Sequence, residues 1–189
     1  MKRVLFPTLL AALAIALPAA AELETYTIDP RHTLPTYEVS HFGYSLQRGR
    51  FTKVSGKIEI DIAAGNGSVD ASIDAASVSS GIDKLDEHLR SDEFFDVANY
   101  PQINFKSEHF TFEGDRLVSV TGDLTMRGVT RPVTLTANVF KCARNLVLRM
   151  VCGADLVATV KRSEFGMTFL LPGLGNEVTL RIPVEATKD

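Results

Sequence analysis

Several features that commonly mark an enzyme are missing from this 189-residue chain, which also contains no tryptophan. There is no Gly-x-Ser-x-Gly elbow, His-Glu-x-x-His pair, glycine-rich phosphate loop or dinucleotide-binding fingerprint. The histidines, at positions 32, 41, 88 and 109, are dispersed and show no metal-ligand spacing. We therefore expect a protein that is not an enzyme and that needs no metal or catalytic cofactor.

An excess of basic residues is also lacking. Lysine and arginine number 20 against 23 aspartates and glutamates, for a formal net charge of −3. No stretch interleaves basic with aromatic residues. This balance argues against nucleic acid as a partner and against adsorption to anionic lipid surfaces.

The only pronounced apolar run lies at the amino terminus. Two basic residues precede an apolar stretch from Val4 to Leu17, and a run of alanines ends at Ala21. A membrane anchor is the alternative interpretation, but the run is short for a spanning helix, contains Pro7 and is followed by acidic residues. These features predict a signal peptide over residues 1–21. They also predict a mature domain over 22–189 that is exported to the periplasm and has no membrane span.

Cysteine is scarce, since Cys142 and Cys152 are the only two. Zinc sites need four ligands, and redox pairs usually have Cys-x-x-Cys spacing, so neither pattern is met. Export would place both thiols in an oxidising compartment. We predict a disulfide, which would stabilise the fold by about 2–3 kcal/mol by closing a loop of about ten residues.

What the chain does have is regular alternation of apolar and polar residues. Ile58, Ile60 and Ile62 alternate with charged residues, which is typical of a half-buried strand. Short turns separate about eight such runs, which predicts an antiparallel meander. A two-sheet sandwich would also bury one face, but a closed barrel removes the exposed edges and suits the short connections. Pro183, in the last run, requires a bulge or an unpaired position. Further runs occur at 69–75, 118–126, 133–139, 156–160 and 178–184.

The segment from Ile82 to Pro101 breaks the alternation. Leu85 and Leu89 lie four residues apart, and Asp83 is placed to cap a short helix. The charged trio at 86–88 cannot converge on one metal ion, because adjacent helical residues point in different directions, and we expect it to be a solvated helix face, as runs of charge usually are. The sequence thus predicts a helical lid near residues 82–96 of an all-β, eight-stranded antiparallel barrel.

Alternate residues of a strand point to the same face of the sheet, and this parity predicts which side chains enclose the barrel interior. His41 shares a face with Tyr37 and Val39, either as a histidine satisfied by protein partners or as a polar contact for a ligand headgroup. A phase change after Val160 predicts a bulge or bend near 161–164 that re-aims the residues beyond it. Whether the interior is filled or hollow stays open, because eight-stranded barrels can be either. The candidate ligand-binding residues are Tyr37, Val39, His41, Leu85, Leu89, Phe94, Phe95, Ile103, Phe105, Leu124, Met126, Phe165, Met167 and Phe169.

Several stretches along the chain carry a family pattern. They are Tyr-Thr-Ile-Asp-Pro at 26–30, Val-Ser-His-Phe-Gly at 39–43, Arg-Gly-Arg-Phe at 48–51, Asp-Glu-His-Leu-Arg-Ser-Asp-Glu-Phe-Phe-Asp at 86–96, Tyr-Pro and Phe-Lys-Ser within 100–107, Gly-Asp-Leu-Thr-Met-Arg-Gly-Val-Thr-Arg-Pro-Val at 122–133 and Arg-Ser-Glu-Phe-Gly-Met at 162–167. Through them, over nearly all of Tyr26 to Ala186, the sequence resembles the YceI-like family of bacterial periplasmic, lipocalin-like, polyisoprenoid-binding proteins. The resemblance implies an eight-stranded antiparallel barrel with a helical segment beside it and an elongated apolar channel for an isoprenoid tail, whether polyprenyl or quinone. The family defines no catalytic residues. The insert between the cysteines varies from the family pattern.

Three hypotheses about function follow. The first is a periplasmic carrier or binding protein whose partner is an apolar lipid such as an isoprenoid or quinone. The second is a stress-related interaction module with a filled barrel and no lipid ligand. The third is a hydrolase or isomerase that uses His41 with a nearby carboxylate. The sequence leaves the oligomeric state open, with a homodimer as one candidate.

Overall fold

The computed structural model describes residues 23–189, so the predicted signal peptide lies outside the described residues. Within this range the chain forms one sheet of 11 strand segments and one α-helix. The segments are β1 (Glu24–Ile28), β2 (Thr36–His41), β3 (Ser45–Phe51), β4 (Val54–Asp61), β5 (Asn66–Asp74), β6 (Val78–Ser79), β7 (Gln102–Glu113), β8 (Arg116–Met126), β9 (Val129–Arg144), β10 (Met150–Lys161) and β11 (Leu174–Lys188), and the helix is α1 (Asp83–Arg90).

The sheet closes on itself into an eight-stranded antiparallel barrel, which confirms the predicted fold class. The ring runs β1, β4, β5, β7, β8, β9, β10 and β11, and β11 then pairs with β1. The three remaining segments lengthen the wall at one end, where β2 pairs with β11, β3 with β2, and β6 with β3. Closure gives each of the eight ring strands a hydrogen-bonded neighbour on both sides, so none of them is a sheet edge; the sheet ends only at β6.

The wall has one break, in the linker between β1 and β2, opposite the middle of β11. There Asp29 N–H donates to Glu185 O at 2.8 Å, and Glu185 N–H donates to the buried Thr33 hydroxyl at 3.1 Å. Pro183 has the same parity as Glu185, so its nitrogen faces this linker, where β11 has no ladder partner. The missing proline N–H is accommodated by an unpaired position, one of the two outcomes expected from the sequence.

The lid helix starts differently from the sequence prediction. Asp83 is the first residue of α1, the capping position belongs to Ile82, and no side chain caps the helix. Instead, Asp86 is buried and accepts hydrogen bonds from the backbone N–H and the hydroxyl of Ser80, both at 2.6 Å. The prediction that residues 86–88 are all solvated is therefore wrong at Asp86, because Ser80 supplies the donors that make its burial tolerable.

The predicted bend after β10 is a 3₁₀ turn, Arg162–Phe165. Arg162 is buried, and its guanidinium donates to the backbone carbonyls of the loop that follows. Its acceptors are Gly175 O, Met167 O, Phe169 O and Leu174 O, at 2.8, 2.9, 2.8 and 2.9 Å respectively. This one side chain fixes the path of the loop from β10 to β11.

Cys142 and Cys152 form the predicted disulfide. The two residues face each other directly across β9 and β10, near the end of the barrel opposite α1. The bond therefore crosslinks the two strands near the turn of the β9–β10 hairpin, two residue pairs from the last pair, Arg144 with Met150.

Replacing both cysteines, Cys142→Ala with Cys152→Ala, should lower the free energy of unfolding by about 2–3 kcal/mol, because the crosslink restricts the unfolded chain. Urea unfolding of the oxidised wild type and the double variant measures this difference. A reducing agent should lower the midpoint of the wild type and leave that of the variant unchanged. Equal midpoints for oxidised wild type and variant would contradict the role given to the bond.

Candidate ligand-binding cavity

The barrel encloses a cavity of about 520 Å³. It runs from α1 at one end to Cys152 and Tyr26 at the other, and most of the side chains that line it are aliphatic or aromatic. Its volume falls within the roughly 300–1,000 Å³ that is typical of small-molecule sites. The size and apolar lining suit a hydrocarbon ligand.

Exposure of inward-facing side chains shows that the interior is hollow. On β11, Val178, Leu180 and Ile182 point into the barrel, yet each keeps part of its surface uncovered. Side chains in a filled core would be buried on all sides at close-packed density. The uncovered surface faces the cavity instead, which decides between the filled and hollow barrels that the sequence left open.

The mouth of the cavity lies at the α1 end. The lining residues that are exposed to solvent all belong to this end: His41, Gln47, Arg48, Ile82 and Leu170. The opposite end is closed by a second cluster of buried side chains that includes Tyr26, Ile60, Cys152 and Ala186. A ligand would therefore have one open end and one closed, apolar end.

An aromatic layer lies beneath the lid. The ring centroids of Phe51 and Phe95 are 5.3 Å apart, and those of Phe94 and Phe169 are 5.6 Å apart, both pairs edge to face. His88 packs edge to face against Phe94 at 4.9 Å and Phe169 at 5.2 Å. These contacts join α1 and the turn after it to the loop that Arg162 holds.

Few polar groups reach the cavity, and most of them are near the mouth. Burial and the nearby charge of Asp86 raise the pKa of Tyr37 to about 12, so its hydroxyl stays protonated at neutral pH and can donate a hydrogen bond. The Tyr37 ring crosses Gly49 so closely that a Cβ there would lie 2.3 Å from the hydroxyl oxygen. Arg48 is engaged by Glu38, with Nε to Oε1 at 2.7 Å.

His41 occupies the end of β2, where it is solvent-exposed and lines the mouth. Its ring packs against Phe42, with centroids 4.9 Å apart. Among residues 23–189, no carboxylate forms an ion pair with His41. The arrangement suits a polar contact at the rim and lacks the oriented base that general acid–base chemistry uses.

The cavity brings together all the sequence-predicted site residues except Phe165. Phe165 lies in the 3₁₀ turn, is buried in the core and does not line the cavity, because the turn ends the alternation from which it was predicted. The predicted residues that line it are Tyr37, Val39, His41, Leu85, Leu89, Phe94, Phe95, Ile103, Phe105, Leu124, Met126, Met167 and Phe169. Whether they contact a ligand stays a prediction.

Sequence reasoning missed much of the middle and the closed end of the cavity. These residues carry the same alternating signal as the chosen ones, so parity alone would have included them. The missed residues include Tyr26, Ile28, Val54, Ile58, Ile60, Phe110, Leu117, Val120, Leu135, Phe140, Leu156 and Leu180.

Two further properties concern only the described part of the chain. Residues 23–189 contain no group of three or more His, Cys, Asp or Glu side chains placed to hold a metal ion. The same range has no helix with the length and apolarity needed to cross a membrane.

A hollow antiparallel barrel with an apolar interior and one mouth has the architecture of a small-molecule-binding protein. The family model for the YceI-like domain matches residues 26–186. The chain belongs to the YceI-like family, as the resemblance in its sequence implied.

Relatives and solved structures agree with this assignment. A UPF0312 protein of Vibrio parahaemolyticus serotype O3:K6 is 39% identical over 140 residues, covering 72% of this chain and 74% of the relative. The crystal structure of Burkholderia cenocepacia BcnA is similar with a TM-score of 0.74 and 25% identity, covering 85% of this chain and 99% of BcnA. A polyisoprenoid-binding domain from Saccharophagus degradans shares the fold, with a TM-score of 0.64, 20% identity and coverage of 89% of this chain and 100% of that domain.

The lid should loosen when Asp86 is replaced by Asn. Burial alone raises the pKa of Asp86, but the Ser80 hydrogen bonds outweigh it and hold the pKa below its usual value of 3.8. Since hydrogen bonds to a charged group contribute about 1.5–3 kcal/mol, Asp86→Asn should increase amide exchange across α1 by tenfold or more.

The pH dependence of this contribution follows from the depressed pKa. It is complete above the ordinary carboxyl pKa and disappears as the pH falls through the lower folded value, so α1 exchange in wild type and variant should converge in acid. Glu87→Gln, at an exposed position of the same helix, is the matched control and should change little. Identical α1 exchange in wild type and Asp86→Asn at neutral pH would refute the role of the Ser80 contact.

Proposed function

We propose that this protein is a periplasmic, non-enzymatic binding or carrier protein that holds the tail of an isoprenoid, quinone or similar long-chain lipid in its cavity. The observation that carries the proposal is the hollow apolar interior of about 520 Å³ with a mouth at the α1 end. No directed catalytic group is needed for this role, because an apolar tail is retained mainly by its removal from water.

The cavity volume limits the size of the tail. An apolar protein cavity of about 150 Å³ accommodates benzene, so 520 Å³ corresponds to on the order of twenty carbons. Ten buried methylenes alone would contribute roughly 8 kcal/mol, enough to offset much of the association cost. A longer chain would extend through the mouth.

The distribution of polar groups supports an orientation for the ligand. The closed end is apolar, whereas Tyr37, Gln47, Arg48 and His88 line the end that bears the mouth. Burying a polar headgroup at the apolar closed end would be unfavourable, because the hydrogen bonds it makes with water would not be replaced there. The tail would therefore enter first and leave the headgroup near the lid.

The fold supports the ligand class. The Saccharophagus domain of the same fold is a polyisoprenoid-binding domain, which indicates that this type of barrel accommodates such ligands. The interaction-module hypothesis assumed a filled barrel, and the cavity leaves it without that structural basis. The exposed His41 without a carboxylate partner gives no specific support to the enzyme hypothesis.

The periplasmic location rests on two observations. Residues 1–21 have the charge, apolar run and small residues of a cleaved signal peptide. The Cys142–Cys152 disulfide is the kind of bond that persists in an oxidising compartment.

Protein purified from a native periplasm should carry a lipid. Native mass spectrometry should show an adduct that denaturation releases, and lipid extraction should identify an isoprenoid, quinone or related chain. Adding such a lipid to delipidated protein should raise its melting temperature, and the rise should grow with the logarithm of the ratio of free lipid concentration to Kd. The carrier function is wrong if no adduct copurifies and added lipids leave the melting temperature unchanged.

A tryptophan placed in the cavity should block binding. Val178 lines the cavity, whereas the adjacent Glu177 is exposed on the outer face, so Val178→Trp and Glu177→Trp form a matched pair on β11. Because the added ring occupies tail volume, Val178→Trp should weaken lipid binding by tenfold or more, and Glu177→Trp should not. Thermal shift and lipid titration measure both variants. Equal affinities in the two would contradict binding inside the barrel.

A further inference from the structure

The β9–β10 hairpin extends beyond the barrel wall at the end opposite the mouth. Its strands pair with each other out to Arg144 and Met150. β8 pairs with β9 only as far as Thr136, whereas β11 accompanies β10 to Val151, so β9 leaves the wall first and the turn at 145–149 lies beyond both neighbours. We call residues 141–150 the hairpin tip. Its outer residues therefore project past the neighbouring strands.

The hairpin tip presents three consecutive apolar side chains to solvent. Leu146 is 104% exposed, Val147 73% and Leu148 71%. Such a run is unfavourable in water and does not contribute to the core, and contiguous exposed apolar residues commonly mark a contact surface. Their function must therefore be sought outside the barrel.

The backbone of the turn supports a role other than folding. Leu148 has a φ of 63°, in the left-handed region that glycine and asparagine adopt more readily. The turn is held by Asn145, whose side-chain oxygen accepts the N–H groups of Val147 at 3.1 Å and Arg149 at 3.0 Å. A leucine at this position costs stability, which is consistent with selection for an exposed apolar side chain.

The charge of the hairpin tip is opposite to that of the whole protein. Lys141, Arg144 and Arg149 flank the apolar residues, and the segment contains no acidic residue, although the chain has a net charge of −3. None of these three cations forms an ion pair with any residue in the described range 23–189. The net charge argues against adsorption of the whole surface, but at about 0.15 M salt charges act over only about 8 Å, so the local charge governs contact.

We propose that the hairpin tip is a membrane-docking element that inserts its apolar residues into the surface of a bilayer containing anionic phospholipid. Leu146, Val147 and Leu148 would enter the boundary between headgroups and acyl chains, and the flanking cations would contact lipid phosphates. The Cys142–Cys152 bond holds the two strands of the hairpin together. The hairpin is therefore ordered before it meets the membrane, and binding costs little conformational entropy.

Two alternatives are less consistent with the structure. The mouth end also exposes apolar residues, such as Tyr44 and Leu46, but acidic residues outnumber basic ones in the lid segment 83–93, which disfavours an anionic surface. A second copy of the chain is disfavoured because the three apolar side chains of one turn present far less area than the roughly 800 Å² per partner that a stable interface buries.

The absence of native tryptophan permits a direct test. Val147→Trp places a probe in the hairpin tip, and Tyr44→Trp places one at the mouth end, where Tyr44 is 87% exposed. With vesicles of phosphatidylglycerol and phosphatidylcholine, the emission of Val147→Trp should shift to the blue and be quenched by brominated acyl chains. The emission of Tyr44→Trp should not change. Pure phosphatidylcholine vesicles or high salt should weaken the response of Val147→Trp.

Vesicle cosedimentation of variants without added tryptophan separates the contribution of the apolar residues from that of the basic residues. Leu146→Ser with Leu148→Asn should lower binding by tenfold or more without lowering the melting temperature, because asparagine tolerates the left-handed conformation. Lys141→Gln and Arg149→Gln should each lower binding about fivefold on anionic vesicles at low salt. Tyr44→Ser with Leu46→Ser, the matched apolar control, should leave vesicle binding unchanged.

Three outcomes would overturn the inference. These are an unshifted Val147→Trp emission, a loss of vesicle binding in the mouth control equal to that in the tip variant, or a dimer in sedimentation analysis that disappears in the tip variant while vesicles are not bound. Native mass spectrometry of copurified lipid in the same variants keeps this test separate from the proposed function. Absent vesicle binding with retained lipid would refute the docking role alone.

Discussion

Pairing of the first strand with the last is the constraint on which the rest of this structure depends. Ile28 faces Ala186 and Tyr26 faces Lys188 across the closure. An open sheet of the same strands would have two unsatisfied edges and would need a second layer to cover its apolar face. Once the ring closes, the apolar face of the sheet becomes the inner wall of the barrel and is shielded from water. In an eight-stranded barrel, the size of the inward side chains decides whether the interior is filled or hollow. Here the inward residues are mostly of medium size, and they leave the centre empty.

The two ends of the barrel are built on different principles. The closed end is filled by packed, buried side chains such as Tyr26, Ile60 and Cys152. The mouth is assembled from segments held by hydrogen bonds, with Ser80 bound to Asp86 and the β10–β11 loop bound to Arg162. Polar groups at this end are mostly satisfied by one another, so they shape the opening while their cost of burial stays low.

Most strands, the closed antiparallel barrel and the disulfide could be predicted from the sequence, because alternation and short turns are local signals and only two cysteines are present. The simple meander was wrong near the amino terminus, where β1 pairs with β4 and where β2 and β3 lie outside the ring beside β11. Parity also placed residues such as Tyr37 and Phe105 on the cavity wall. It failed at Phe165, since the 3₁₀ turn replaces the two-residue period with a three-residue one. It could not decide whether the barrel was hollow, because that depends on the summed volume of side chains from all strands. The burial of Asp86 was equally hidden, since its partner Ser80 precedes the helix and carries no distinguishing pattern.

The hydrogen bonds by which Arg162 holds the β10–β11 connection all go to backbone carbonyl oxygens, which every amino acid supplies. The hold of Arg162 on that rim therefore does not depend on the side chains of the residues that supply these oxygens. Substitution at the exposed Leu170, for example, would alter what the opening admits while the scaffold beneath keeps its course. A single arginine in this way fixes the path of the entrance loop without constraining the side chains of the residues it binds, so those side chains can differ between related proteins while the path is kept.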